Sequence, residues 1–127
     1  MILGLGTDLV AIARVEELLT RHGERFLRRV FTPAERADCL RRARPAVHLA
    51  ARLAAKEAAM KALGTGWSLG VRWLDVEVRS SGGTPPTIRL DGVARSRAEA
   101  RGIRDALVSL SHDGGYALAV VMATDGT

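Results

Sequence analysis

Cysteine and aromatic residues are scarce in this 127-residue chain, and each scarcity excludes a class of protein. The single cysteine, Cys39, has no second cysteine to pair with, which excludes a disulfide-stabilised secreted scaffold. Aromatic residues are only 4% of the chain, too few for a platform that stacks single-stranded bases. No apolar run approaches the roughly 18 residues of a transmembrane helix, and no basic leader indicates a secretory signal. We therefore expect a protein of the reducing cytoplasm without a membrane span.

Lysine is the other scarce residue, although the chain is basic. The 19 Lys and Arg residues outnumber 14 Asp and Glu residues, giving a net charge of +5, and only Lys56 and Lys61 are lysines. A basic surface favours an acidic protein partner, a phosphorylated ligand or nucleic acid. No nucleic-acid-binding motif accompanies the charge, so we expect no nucleic-acid partner.

Hydrophobic periodicity and turn residues predict one α+β domain over residues 1–127, long enough to bury a core. The predicted elements are a strand at 2–10, a helix at 12–29 with a break near Gly23, a helix from Pro33, a long helix from Pro45 to Leu63, strands at 73–79 and 87–90, a helix at 92–101, and a hairpin of strands 106–112 and 116–123. A loop containing Trp67 leads from the long helix to the strand at 73–79, and a turn over residues 80–86 connects that strand to the one at 87–90. We expect an antiparallel sheet packed against the long helix, with the last strand buried on both faces because it is almost continuously apolar.

Local capping signals set two helix ends. Thr32, Pro33 and Glu35 form a capping box with proline in the first helical position. Gly64 follows the last turn of the long helix, as a C-terminal glycine commonly does. Local physics explains the capping box without any chemistry.

The long helix carries charge where a core helix avoids it. Glu57 and Lys61 are four residues apart and share one face, surrounded by small alanine side chains. They are either a surface ion pair or part of a site. His48, Arg52 and Lys56 follow one another at steps of four and predict a positive ridge beside that face.

Two further residues are candidates for ligand contact. Asp8 shares a strand face with Gly4 and Gly6, which predicts open space for a ligand in front of its carboxylate; the alternative is an N-cap for the next helix. His112 ends a strand beside a Gly-Gly turn, where it could touch a ligand or serve the fold alone.

Four segments together resemble the holo-acyl-carrier-protein synthases, the small bacterial type of 4′-phosphopantetheinyl transferase. The matching segments are Gly4–Val10 with Arg14, Phe31–Glu35, Arg52–Glu57 continuing through Lys61–Gly66, and Val108–Asp113. They follow the family's order and span residues 4–121. The resemblance implies a phosphopantetheinyl transferase-like fold and a homotrimer with each site between two subunits.

The resemblance also implies a reaction, in which coenzyme A donates its phosphopantetheine arm to a serine of an apo acyl carrier protein and adenosine 3′,5′-bisphosphate leaves. The family needs Mg²⁺, and Asp8 and Glu57 suit a cation that takes one or two carboxylates plus phosphate oxygens. Lys61 can reach the pyrophosphate of coenzyme A and stabilise the leaving group. The serine proton passes to Glu57 or to a metal-bound water.

The remaining candidates bind substrate or partner. Arg52 and His112 are expected to contact further phosphates of coenzyme A, and the backbone amides at Gly64 to add donors. The basic residues Arg14, Arg21 and Arg25 have a solvated helix face as one interpretation and the acidic carrier protein as the other. A catalytically silent module that binds coenzyme A or a carrier protein is the alternative function, which the presence of both Asp8 and Glu57 disfavours.

Overall fold

The computed structural model describes residues 1–66, 69–80 and 83–127, which form a five-stranded sheet and five α-helices. The elements are β1 (Ile2–Ala11), α1 (Ile12–His22), α2 (Glu24–Val30), α3 (Pro33–Leu40), α4 (Pro45–Leu63), β2 (Val76–Arg79), β3 (Thr87–Leu90), α5 (Gly92–Ala100), β4 (Asp105–Asp113) and β5 (Tyr116–Thr124). The predicted α+β class is confirmed. The predicted loop at Trp67 and the turn at Ser81 and Gly82 involve residues outside the described ranges.

Local signals place the helix ends as expected. Gly23, with φ 49°, separates α1 from α2. At the start of α3 the amide of Glu35 donates to the Thr32 hydroxyl, and the amide of Thr32 donates to the Glu35 carboxylate at 2.9 Å. Gly64 ends α4 in the left-handed region with φ 75°. The predicted strand at 73–79 is wrong over its first three residues, because Trp73–Asp75 form a 3₁₀ turn and β2 begins at Val76.

The sheet is antiparallel in the order β1-β5-β4-β3-β2, and α4 packs across one of its faces against β1 and β5. Alternate residues of β5 are buried beneath α4: Ala117, Ala119, Val121 and Ala123. The intervening residues point to the opposite face, where Tyr116 is 49% exposed. The prediction that β5 is buried on both faces is therefore wrong for the single chain.

The face of the sheet away from α4 is apolar and open to solvent. Its exposed large apolar side chains are Leu5, Leu9, Leu107, Tyr116 and Leu118, and the polar Thr7, Ser109 and Ser111 lie among them. Leu5 and Leu9 on β1 are 60% and 59% exposed. Because soluble monomers rarely expose a contiguous apolar surface of this kind, the face has the character of an interaction surface.

The contact between β1 and α4 is unusually close. A Cβ atom at Gly4 would lie 2.0 Å from the carbonyl oxygen of Ala62, and one at Gly6 would lie 1.9 Å from that of Ala58. Glycine is therefore required at both positions so that strand and helix backbones can touch. Among the described helices, none has both the length and the apolar character needed to cross a bilayer.

Candidate active site

Asp8, Glu57 and Lys61 come together where β1 passes α4. The ammonium of Lys61 donates to the carbonyl of Thr7 at 2.9 Å and to Asp8 Oδ1 at 3.3 Å. The side chain of Asp8 is 15% exposed and that of Lys61 is 57% exposed, so the cluster lies at the rim of the contact. Glu57 lies one helical turn before Lys61 on the same side of α4. The sequence-predicted trio is thus brought together from two elements.

The two carboxylates of this cluster repel each other. Burial, a side-chain hydrogen bond with Asp8 and the charge of Asp8 raise the pKa of Glu57 from 4.5 to about 7, while the charges of Arg14 and Lys61 oppose the rise. The two carboxylates are therefore close together, and Arg14 and Lys61 are the cations near enough to affect Glu57.

One oxygen of Asp8 is unpaired, which indicates a place where a cation could bind. Asp8 Oδ2 is buried and has no hydrogen-bond partner among the described residues. Among the residues that the structure describes, no group of three or more Asp, Glu, His or Cys side chains is placed to hold a metal ion. Two carboxylates with one oxygen free fit Mg²⁺, which commonly takes one or two carboxylates and completes its shell with water and phosphate oxygens.

Two expectations about Asp8 fail. It is not the N-cap of α1, because that position belongs to Ala11 and no side-chain cap bond is formed there. The glycines beside it do not open space for a ligand either, since the backbone of α4 fills the volume in front of Gly4 and Gly6. The carboxylate nevertheless reaches the rim, where Lys61 meets it.

The predicted positive ridge is also wrong, because Arg52 and Lys56 are both buried and His48 is partly buried. Lys56 is fully buried, with its ammonium 2.7 Å from Glu35 Oε1 and donating to the carbonyls of Trp73 and Val76. Glu35 Oε2 in turn accepts from the amide of Val78 at 2.9 Å. The capping residue Glu35 thus also forms a buried ion pair that connects α3, α4 and β2, a role that sequence reasoning missed.

Arg52 lies apart from the carboxylate cluster. It is five residues before Glu57, about 140° around the helix, and its side chain is only 3% exposed. It forms an ion pair with Asp38, a partner that sequence reasoning did not identify. Arg52 and Asp38 line a cavity of about 450 Å³ together with Arg79 and Thr84.

His112 lies on β4, which is separated from β1 by β5. It is exposed and lines a cavity of about 420 Å³ with Arg44 and Glu16. His112 is opposite Ala117, which is opposite Val10, so two strand spacings, about 10 Å, separate its backbone from β1. Within one chain, His112 and the carboxylate cluster therefore do not meet.

Gly64 ends α4, and the side chain of Arg101, a residue that the sequence did not single out, lies beside it. Gly64 is exposed, and the guanidinium of Arg101 lies 3.3 Å from where its Cβ would be. Arg101 donates to the carbonyls of Leu63 and Ala62, which would otherwise lack partners at a helix end. A lone arginine after a short helix gives no signal of this contact in the sequence.

The three candidate partner-binding arginines are exposed on α1 and α2. Arg14 is near enough to Glu57 for its charge to affect the pKa of that carboxyl. Arg21 forms a surface ion pair with Glu17 at 3.1 Å. Arg25 is exposed on α2.

Comparisons with known proteins identify relatives along almost the whole chain. A sequence model of the 4′-phosphopantetheinyl transferase superfamily matches residues 4–121. A holo-[acyl-carrier-protein] synthase from Anaeromyxobacter dehalogenans is 51% identical over 125 residues, covering 96% of this chain and 95% of the relative. One from Halorhodospira halophila is 47% identical over 126 residues, covering 99% and 100%.

Solved structures agree in fold. The crystal structure of the holo-[acyl-carrier-protein] synthase from Neisseria meningitidis has a TM-score of 0.88 at 32% identity and covers 98% of this chain and 99% of that one. The Helicobacter pylori enzyme in complex with coenzyme A has a TM-score of 0.82 at 32% identity, with 94% and 99% covered.

Proposed function

The chain belongs to the 4′-phosphopantetheinyl transferase superfamily, and from that premise we propose that it transfers the 4′-phosphopantetheine arm of coenzyme A to a serine of an apo acyl carrier protein. The observation that carries the proposal is the cluster of Asp8, Glu57 and Lys61 inside the matched region. Similar proteins bear the name of this activity, and one similar structure holds coenzyme A. CoA as donor and the single reduced cysteine favour a cytoplasmic location.

In the proposed reaction the serine oxygen attacks the phosphorus that carries the pantetheine arm. The new bond joins that oxygen to phosphorus, and the bond to the leaving phosphate of adenosine 3′,5′-bisphosphate breaks. The serine proton passes to a base at the cluster, for which the carboxylate of Glu57 is the candidate among the residues of this chain. Lys61 neutralises charge on the leaving phosphate from the rim of the cluster, where its ammonium is solvent-accessible.

Asp8 and Glu57 would hold Mg²⁺. The unpaired Asp8 Oδ2 and the mutual repulsion of the two carboxylates support this assignment. When bound, the cation would neutralise charge on the pyrophosphate of coenzyme A.

The remaining phosphates of coenzyme A are assigned to Arg52, Gly64 and His112. Arg52 lines one cavity and His112 another, and within one chain His112 lies apart from the carboxylate cluster, so we propose that residues of two subunits hold one donor. A homotrimer with sites between subunits would allow this, and the exposed apolar face of the sheet supports such an assembly. Under this proposal the partner subunit brings its own His112 to the cluster.

The carrier protein would dock on the basic surface of Arg14, Arg21 and Arg25. Arg14 links this surface to the site, because its charge reaches Glu57. Complementary charge steers encounter and fixes orientation, as expected for an acidic carrier.

Intact-mass measurement tests the proposal directly. Purified protein, CoA, Mg²⁺ and an apo carrier should give a carrier heavier by one phosphopantetheine, and Asp8→Asn or Glu57→Gln should slow this by about 10³-fold or more. Glu99→Gln, which removes an exposed carboxylate of α5, is the matched control. Binding of CoA or carrier without any mass gain would instead support the silent-module alternative.

A further inference from the structure

Near the carboxylates, the described side-chain contact between the two elements that carry the site is that of Lys61 with Thr7 and Asp8. Asp8 belongs to β1, whereas Glu57 and Lys61 belong to α4. The glycine contacts set how closely the elements approach, but glycine has no side chain that could stop one element from sliding along the other. The contact between Lys61 and Asp8 is largely solvent-exposed on the lysine side. A side chain that bonds to both elements would add to the packing that sets the register of β1 against α4.

Arg101 makes the contact that can do this. Its Nη1 donates to the carbonyl of Leu63 at 2.6 Å and to that of Ala62 at 3.3 Å, while its Nη2 donates to the carbonyl of Leu3 at 2.8 Å. One planar guanidinium therefore bridges the last turn of α4 and the start of β1. The contact is reached from the turn after α5, far from both elements in sequence.

We infer that Arg101 is a positioning residue whose guanidinium locks the end of α4 to β1 and thereby sets the separation of Asp8 and Glu57. Lys61 is directly before Ala62, one of the carbonyls that Arg101 holds. The kinetic part of this inference rests on the proposed function; the metal-binding part does not.

The simpler role for Arg101 is that of a helix cap. A positive charge at the C-terminus of α4 is favourable by itself. Lysine could supply that charge, but its ammonium is a point donor and lacks the rigid fork that holds two elements at once. Arg101→Lys therefore distinguishes a residue that only caps α4 from one that holds α4 and β1 together.

The experiment compares Arg101→Gln and Arg101→Lys with two controls from the same segment. Arg95→Gln removes an arginine of α5 whose ion pair is with Glu99 of the same helix. Ile103→Val removes one buried methyl group beside Arg101 without changing charge. The readouts are Mn²⁺ binding by electron paramagnetic resonance without substrate, thermal melting, and transfer with CoA varied up to saturation.

We expect both Arg101 variants to weaken Mn²⁺ binding about tenfold and to lower kcat with little change in KM for CoA. Arg101→Lys should melt close to wild type, and both controls should bind Mn²⁺ as wild type does. Wild-type Mn²⁺ affinity in either Arg101 variant would overturn the inference, as would a wild type that binds no Mn²⁺. A wild type that binds Mn²⁺ but modifies no carrier would sink the proposed function alone.

Discussion

At the scale of single residues, Glu57 is where function and stability conflict most directly. Burial and the neighbouring Asp8 raise its pKa to about 7, so the folded protein retains a proton that an ordinary glutamate has released by pH 5 or 6. The folded state binds more protons than the unfolded state between about pH 4.5 and 7, and stability falls as the pH rises through that range. Above pH 7 the ionised carboxylate of Glu57 lowers the free energy of unfolding.

Removing that carboxylate should therefore stabilise the metal-free protein at pH 8. A rise in pKa from 4.5 to about 7 corresponds to at most about 3 kcal/mol, and partial solvent exposure of Glu57 reduces the expected gain for Glu57→Gln to about 1 to 2 kcal/mol. Urea unfolding in chelator-treated buffer measures it. At pH 4.5 the gain should vanish, because wild-type Glu57 is then protonated when folded. An equal gain at both pH values would show that ionisation of Glu57 is not its cause.

The two lysines of the chain offer a second comparison at this scale, since they lie five residues apart on one helix. Lys56 is buried against Glu35, whereas Lys61 is 57% exposed at the site. Lys56→Met leaves Glu35 as a buried carboxylate without its cation, which should cost about 3 to 5 kcal/mol. Lys61→Met should cost under about 1 kcal/mol and instead slow transfer.

Denaturant unfolding and the transfer assay separate these two effects. The double variant Lys56→Met, Glu35→Gln should be more stable than Lys56→Met alone, because it removes the unpaired buried charge. If the two single losses simply add in the double variant, the buried ion pair has been wrongly assigned.

At the scale of elements, what can be predicted from sequence is what depends on neighbours in sequence. Thr32 and Gly64 mark helix ends because a cap acts within one turn, and α3 and α4 begin or end there. Glu57 and Lys61 share a face because helix geometry is regular. The 3₁₀ turn at Trp73–Asp75 escapes the same reasoning, since its residues alternate like a strand but Asp75 bonds back to the amide of Arg72.

Contacts between distant elements account for the errors. Gly4 and Gly6 indicate a close approach of some kind, but the sequence cannot tell a ligand from the backbone of α4. Lys56 looks like part of a surface ridge because its partner, Glu35, is already explained as a capping residue. Arg101 gives no signal, since its acceptors are backbone carbonyls on other elements.

At the scale of the whole molecule, the apolar outer face of the sheet predicts self-association. Light scattering should show a homotrimer. Leu5→Glu or Leu118→Glu should shift the protein toward the monomer, because both side chains are exposed on that face. Leu40→Glu, at a 46% exposed leucine of α3, is the matched control. Wild type that scatters as a monomer at micromolar concentration would refute the trimer and, with it, the shared site.

Complementation tests the shared site separately. Asp8→Asn and His112→Ala should each be inactive or weak alone, yet mixing the two after partial dissociation should restore activity. Recovery is expected because some interfaces then combine an intact cluster with an intact His112. Failure to recover in confirmed mixed trimers would mean that His112 does not serve the neighbouring subunit's site.

Charge distribution over the molecule leads to the last prediction, which concerns the carrier protein. Reversing Arg14 to Glu should raise KM for the carrier about tenfold or more while leaving KM for CoA within about twofold, since a rim charge controls docking of an acidic partner. Raised salt should weaken the wild-type carrier interaction, because charges more than about 8 Å apart are screened at physiological ionic strength. Arg95→Glu, which makes the same charge change on α5, controls for net charge. Steady-state kinetics with each substrate varied in turn measures both constants. If Arg14→Glu leaves KM for the carrier unchanged, the basic surface is a solvated helix face, and docking must depend on another part of the molecule.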